Sequence, residues 1–149
     1  DPLWSRGLGD VYKRQAGIRV KVPEEFLMVP MDATLIEQVI INLLENSIQH
    51  SGSNAPTELE ITADRENAFF TVRDRGRGIS EEELPFLFEG DRPGQGKKSD
   101  SSRGMGIGLS ICKSIVRAHG GTITAENGKN GGAVFSFTLP LKEDAPNEQ

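Results

Sequence analysis

The chain of 149 residues has the length of one domain and an ordinary globular composition, with 36% hydrophobic and 26% charged residues. Its formal net charge of -5 argues against non-specific binding to nucleic acid or to anionic membranes. A single cysteine, Cys112, excludes an intrachain disulfide, and two histidines argue against a zinc site. No apolar run approaches the ~20 residues of a membrane span, so we expect a soluble, cytoplasmic chain without direct membrane contact.

Three segments of the chain differ in pattern. Residues 1–15 show neither strand nor helix periodicity and are interpreted as a non-native or linker-like leader without a function. Residues 16–142 carry regular patterns and form the predicted domain. Residues 143–149 are predicted to be an acidic, disordered tail.

Within the domain, short strands cluster with a few helices. Period-two alternation predicts strands at 18–22, 26–29, 59–63, 70–72, 122–125 and 133–139. Helices are predicted after the N-cap Asp32 to about His50, in short stretches at 80–84 and 85–88, and from about Gly106 to His119, where Gly120 ends the helix. Residues 89–103 are predicted to be a mobile loop. This arrangement predicts an α+β fold with helices layered on a mixed or antiparallel sheet.

The first long helix carries two asparagines, Asn42 and Asn46, which lie one turn above each other. Asparagine is a poor helix former, so the pair requires an explanation. Their amide oxygens could ligate a hard cation such as Mg²⁺ or bond a polyphosphate. Alternatively, they form a polar stripe bonded to a neighbouring loop, and the helix alone leaves both interpretations open.

A first glycine cluster, D-R-G-R-G-I at 74–79, follows a predicted strand. The period of two places Asp74 on the same face as Phe70 and Val72. A carboxylate at the end of an apolar face is costly unless a donor reaches it, and the amine of a purine is such a donor. Gly76 and Gly78 would allow close backbone approach. The alternative is a tight turn with a capping aspartate.

A second cluster, G-M-G-I-G-L at 104–109, opens the later helix directly after Arg103. Its uncovered backbone N–H groups at a helix N-terminus form an anion site, unless the glycines are only a flexible hinge. The cluster lacks the Gly-Lys-Ser/Thr ending of a P-loop and does not follow a strand. Neither a Walker motif nor a dinucleotide fingerprint is therefore present.

In this order, the pieces resemble the ATP-binding domain of bacterial sensor histidine kinases. Residues 42–46, 74–79, 86–88 and 104–109 are similar to the family's N, G1, F and G2 boxes. The resemblance covers about residues 17–140, and the stretch 101–108 is most similar to potassium-responsive, KdpD-type kinases.

The resemblance implies a GHKL (Bergerat) α/β sandwich, a mixed sheet of about five strands backed by three helices, with ATP beneath a lid at residues 89–103. Asp74 would accept from the adenine amine, Asn46 would ligate Mg²⁺, and Asn42, the catalytic candidate, would lie beside the phosphates. Phe88 would help to dock the lid. The implied nucleotide-binding set is Asn42, Asn46, Gln49, His50, Asp74, Gly76, Gly78, Ile79, Phe88, Arg103, Gly104, Met105, Gly106, Ile107, Gly108 and Leu109.

Two positions depart from the family pattern, which usually has lysine and then tyrosine where this chain has Gln49 and His50. Losing the lysine removes a charge from the phosphate site, whereas an imidazole could replace the phenol near the nucleotide. In the lid, we expect Arg103 to move onto the phosphates when a triphosphate binds. Lys97 and Lys98 are the second candidates for this role.

Three functions compete at this stage: the catalytic half of a histidine kinase, a GHKL ATPase or anti-sigma-type serine kinase, and a degenerate nucleotide-binding module. GHKL hydrolases and serine kinases carry a glutamate base where this chain has Asn42, which cannot take a proton. That favours the histidine kinase. Neither His50 nor His119 has the surroundings of a phosphoacceptor. The expected partners are therefore a separate dimerisation and phosphoacceptor domain of the parent kinase and a downstream response regulator. Anchoring of the parent in the bacterial inner membrane is left open.

Overall fold

The computed structural model describes residues 17–90 and 108–142. No helix in these two ranges combines the length and the hydropathy needed to cross a membrane. The elements, in chain order, are β1 (Ile18–Lys21), α1 (Ala33–Ser51), β2 (Thr57–Ala63), β3 (Asn67–Arg73), a 3-10 helix (Leu84–Phe86), α2 (Leu109–Ala118), β4 (Ile123–Asn127) and β5 (Ala133–Pro140).

The strands form one mixed sheet in the order β1-β2-β3-β5-β4. β1 runs parallel to β2, and the other neighbours are antiparallel. In β2, β3 and β5 every second side chain is buried, as expected for a sheet covered on one face. The helices α1 and α2 cover that face, which confirms the predicted α+β fold with a mixed sheet of five strands. Of the three helices that the resemblance implies, the described residues contain two α-helices.

The core lies between the sheet and the two helices. The rings of Phe70 on β3 and Phe137 on β5 stack with centroids 4.6 Å apart. The helices contribute a continuous set of fully buried side chains against them, namely Ile36, Val39, Ile40, Leu43, Leu44, Cys112 and Val116.

The beginning of α1 is fixed by two contacts. Asp32 caps it as predicted, because Oδ1 accepts from Leu35 N at 3.1 Å. The backbone N–H of Asp32 donates to His119 Nε2 at 3.0 Å, and His119 Nδ1 lies 2.8 Å from the carbonyl oxygen of Ile115. A neutral imidazole, with one donor and one acceptor nitrogen, satisfies both bonds and joins the end of α2 to the beginning of α1.

The predicted strand at 26–29 is wrong. Phe26 and Met28 are 88% and 73% exposed, while Leu27 and Val29 pack against the core, so the alternation is real. A strand also needs a hydrogen-bonded neighbour, and within the described residues this segment pairs with none.

Three predicted helical stretches are also shorter than expected. The stretches at 80–84 and 85–88 reduce to a single 3-10 turn, Leu84–Phe86. Pro85 has no N–H to donate to the carbonyl four residues earlier, so the first stretch cannot continue into the second as one helix. α2 begins at Leu109 rather than near Gly106, because Gly108 is extended with φ -84° and ψ 173°. Glycine is a poor helix former, which explains the late beginning. The leader at 1–15, the tail at 143–149 and residues 91–103 of the predicted loop lie outside the described residues.

Candidate functional site

Asp74 follows the last residue of β3 and points to the helix side of the sheet, as period two predicts. It is 7% exposed, and its Oδ1 accepts from Gly76 N at 2.9 Å and from Ala133 N at 3.1 Å. Its own N–H donates to the carbonyl of Ala133 at 3.0 Å. These backbone donors offset part of the desolvation cost of the carboxylate. Both use Oδ1, so neither bond occupies Oδ2.

The loop after Asp74 lies directly on the C-terminal turn of α1. A Cβ at Gly76 would collide with the backbone of Ser51, which explains a glycine there. Arg77 donates its backbone N–H to the carbonyl of Ser51 at 3.2 Å and its Nε to the carbonyl of His50 at 3.1 Å. The first glycine cluster and the end of the asparagine helix are therefore neighbours, as the predicted site requires.

The asparagines occupy the same helix at different depths. Asn42 is buried, with 5% exposure, and Asn46 is half-buried one turn later. Gln49 is exposed and His50 is half-buried. Asn46 precedes Ser51 by five residues, or about 7.5 Å along the helix axis. These neutral oxygen donors suit a hard cation that keeps some of its waters. The described residues contain no group of three or more His, Cys, Asp or Glu that could hold a metal.

Asn127, at the end of β4, contacts the loop 74–79 and is not among the residues that the sequence predicts for the site. Its Oδ1 accepts from Ile79 N at 2.8 Å, and its Nδ2 donates to the carbonyl of Ile79 at 2.9 Å. Gly78 has φ +79°, and a Cβ there would lie 2.5 Å from Asn127 Oδ1. The two residues are 48 positions apart in the sequence, so no local pattern indicates this contact.

The remaining predicted residues lie at or beyond the edge of the described chain. The ring of Phe88 meets Phe135 edge-on, with centroids 6.3 Å apart, so it packs on the core. Gly108 and Leu109 form the beginning of α2. Residues 103–107 of the predicted set lie outside the described residues. Nucleotide contact by any residue of the set stays a prediction.

Comparison with known proteins agrees with this geometry. The family model described as "Histidine kinase-, DNA gyrase B-, and HSP90-like ATPase" matches residues 31–143. The chain is 47% identical over 129 residues to the sensor protein KdpD of Clostridium acetobutylicum, covering 87% of this chain and 14% of that protein. It thus spans about a seventh of the length of this relative.

Solved structures agree as well. The catalytic domain of the histidine kinase ThkA, in a nucleotide-free form, superposes with a TM-score of 0.76 at 30% identity, covering 94% of this chain and 93% of that one. ThkA in complex with the response regulator protein TrrA superposes with a TM-score of 0.73 at 28% identity, covering 98% of this chain and 41% of that one. The resemblance to sensor histidine kinases, including the KdpD type, is confirmed.

Proposed function

The chain belongs to the family of histidine kinase-, DNA gyrase B- and HSP90-like ATPases and is a catalytic domain of the sensor histidine kinase type, and from this premise we propose how it works. It binds ATP with Mg²⁺ and donates the γ-phosphate to a histidine on a separate dimerisation domain of its parent kinase. A response regulator then receives the phosphate.

The observation that carries this proposal is the Asp74 carboxylate. It is buried at the end of an apolar face, held by backbone donors on Oδ1, and leaves Oδ2 to accept from the amine of adenine. Such a carboxylate is costly to bury and fits a ligand that brings its own donor. Gly76, Gly78 and Ile79 complete the base pocket in this proposal.

The phosphate side rests on α1 and on the beginning of α2. Asn46 would hold Mg²⁺ through its amide oxygen, and Asn42 would lie beside the phosphates. Bound Mg²⁺ neutralises charge on the transferred phosphoryl group. The chain's own residues bind and orient the nucleotide, and the acceptor imidazole is itself the nucleophile. Gln49 and His50 take the positions of the usual lysine and tyrosine, so we expect a lower affinity for the phosphates.

His119 is not the acceptor in this proposal. Both of its ring nitrogens are engaged, with Asp32 N at 3.0 Å and with the Ile115 carbonyl at 2.8 Å. His50 lies on α1, the helix that carries Asn42 and Asn46, and its backbone carbonyl accepts a hydrogen bond from Arg77 Nε. The chain alone is therefore expected to bind ATP without labelling itself.

The test compares the 149-residue chain with a version extended by its native upstream segment. With γ-labelled ATP and Mg²⁺, the extended protein should acquire acid-labile phosphohistidine, and the chain alone should acquire none. Label on the chain itself, or no label on either protein despite ATP binding, would contradict the proposal.

The second candidate, a GHKL ATPase or serine kinase, is disfavoured by Asn42. A general base for water or serine must take a proton, which an amide does not do at neutral pH. The control is Asn130→Ala, in the turn between β4 and β5. Steady hydrolysis of ATP by the purified chain that disappears in Asn42→Ala, but not in Asn130→Ala, would favour the hydrolase. The degenerate module predicts nucleotide binding without phosphotransfer in the extended protein.

A further inference from the structure

Asn127 pairs with Ile79 through both ends of its side-chain amide. The two bonds, 2.8 Å from Ile79 N to Oδ1 and 2.9 Å from Nδ2 to the Ile79 carbonyl, satisfy the backbone of Ile79 as a neighbouring strand would. Asn127 lies in none of the four boxes. Its side chain nevertheless fixes the last residue of the Asp74 loop.

The opposite end of the loop is held by the strand partner of Asn127. Asn127 lies opposite Ala133 in the β4–β5 ladder, and Ala133 exchanges hydrogen bonds with Asp74 at 3.0 and 3.1 Å. The turn between them is closed by Gly128 N donating to the Gly132 carbonyl at 2.9 Å. One hairpin therefore holds both ends of the loop 74–79.

The glycines of this contact show how closely the two segments fit. At Gly132, whose φ is +78°, a Cβ would collide with the carbonyl of Asp74. At Gly78 it would lie 2.5 Å from Asn127 Oδ1 and 3.3 Å from the Gly132 carbonyl. Because neither Gly78 nor Gly132 leaves room for a side chain, the loop and the hairpin are in close contact at both ends of the loop.

We propose that Asn127 is a positioning residue for base recognition, which holds the Gly78–Ile79 backbone so that the Asp74 carboxylate meets an adenine amine. This inference rests on the proposed function. Asn127 is exposed, so water can replace its two bonds when the side chain is removed. Its loss should therefore release one end of the loop without unfolding the domain.

The experiment uses the 149-residue chain with Asn127→Ala and Asn127→Asp, and with Asn130→Ala as the control in the same hairpin. The aspartate keeps an acceptor for Ile79 N and loses the donor to the Ile79 carbonyl. Calorimetry with non-hydrolysable ATP and GTP analogues gives the affinities, and thermal unfolding gives the stability. We expect both Asn127 variants to bind the ATP analogue about tenfold more weakly, of the order of one hydrogen bond. Their unfolding should stay close to that of the original chain.

Base preference separates positioning from a merely structural role. Guanine has a carbonyl where adenine has its amine, so its binding depends less on the Asp74 carboxylate. The ratio of ATP to GTP affinity should therefore fall in the Asn127 variants and stay unchanged in Asn130→Ala. In an Asp74→Asn background, Asn127→Ala should cost less than it does alone.

Four outcomes overturn the inference. ATP affinity in Asn127→Ala equal to that of the unaltered chain contradicts it while leaving the proposed function intact. Equal losses for both nucleotides, or losses that add fully to those of Asp74→Asn, would show that Asn127 does not act through Asp74. Failure of the unaltered chain to bind ATP at all removes the proposed function and this inference with it.

Discussion

Asp74 illustrates how a single buried charge constrains function. The two backbone donors on Oδ1 remain when the side chain becomes an amide, because an amide oxygen still accepts them. The charge is lost, and the NH₂ group of the amide can meet the adenine amine donor to donor. Asp74→Asn should therefore affect ligand binding more than folding.

We expect Asp74→Asn to weaken binding of ATP by about 1.5–3 kcal/mol, the value of a charge-assisted hydrogen bond. Calorimetry on both proteins measures this directly. Asp64→Asn is the matched control, since Asp64 Oδ1 also accepts two backbone N–H groups, at 2.8 and 2.9 Å, but in the β2–β3 turn. Unchanged ATP affinity in Asp74→Asn would contradict the assignment of Asp74 to the base pocket.

Ser47 shows the opposite case, a buried polar group whose Oγ has no hydrogen-bond partner within the described residues. The residue is 1% exposed on α1. An unsatisfied buried hydroxyl destabilises the folded state, and alanine is also the better helix former. Ser47→Ala should therefore raise the free energy of unfolding by about 0.5–1.5 kcal/mol. Urea unfolding measures the change, with the exposed helical substitution Ser114→Ala on α2 as the comparison. A loss of stability in Ser47→Ala would show that the hydroxyl is bonded in solution.

The sequence predicted the placement of the candidate residues whose signal is local. Asp74 was identified because period two places it on the face of Phe70 and Val72, and the structure buries it there. Asn127 could not be identified in this way, because its role depends on Ile79, 48 positions earlier in the chain. Ser47 carries no sequence signal, since its importance lies in a missing partner that only packing reveals.

At the scale of elements, the period of two predicted the strands that pair, but it also predicted a strand at 26–29 that the sheet of the described residues does not contain. β2, β3 and β5 bury alternate residues against the helices, and all were predicted within a few residues. The segment 26–29 alternates equally well and has no neighbouring strand among the described residues. Alternation reports burial on one side, whereas a strand also needs hydrogen bonds along its edge.

The outer face of the sheet carries a charged network centred on Glu58. Lys21 Nζ lies 3.1 Å from Glu58 Oε2, and Arg73 Nη1 lies 3.3 Å from Glu58 Oε1 and 2.9 Å from Glu60 Oε1. Desolvation alone would raise the pKa of Glu58, but Lys21 and Arg73 together outweigh it and hold the pKa below its ordinary value of 4.5. The folded state therefore favours the ionised carboxylate.

A lowered pKa in the folded state stabilises the fold above the unfolded-state pKa, and this stabilisation is lost as the pH falls through the folded-state value. Glu58→Gln should therefore lower the free energy of unfolding at pH 7 by at most about 1 kcal/mol, as for an exposed ion pair. Below the lowered pKa the difference should vanish. Urea unfolding at pH 7 and at a pH below the lowered pKa measures this difference in the free energy of unfolding, with exposed Glu81→Gln as the control. A difference that stays constant with pH would assign the effect to packing.

At the scale of the whole molecule, one side of the sheet meets the helices, and the loop 74–79 lies where β3, α1 and the β4–β5 hairpin converge. Cys112, the single cysteine of the chain, lies on α2 and is fully buried in the core between the sheet and the helices. Burial raises the pKa of its thiol to about 12, so the reactive thiolate is scarce in the folded state at neutral pH. Reaction of Cys112 with a thiol reagent therefore requires the domain to open.

Ligand binding to the folded state should suppress that opening by mass action. At a concentration of ATP analogue about one hundred times its Kd, the unfolded population falls about a hundredfold, and labelling of Cys112 should slow by the same factor. Mass spectrometry at neutral pH follows the reaction at this one site. In Asp74→Asn at the same concentration, weaker binding should give a smaller protection. A labelling rate independent of the analogue, despite binding seen in calorimetry, would show that Cys112 reacts through a local opening of α2 that leaves the nucleotide site intact.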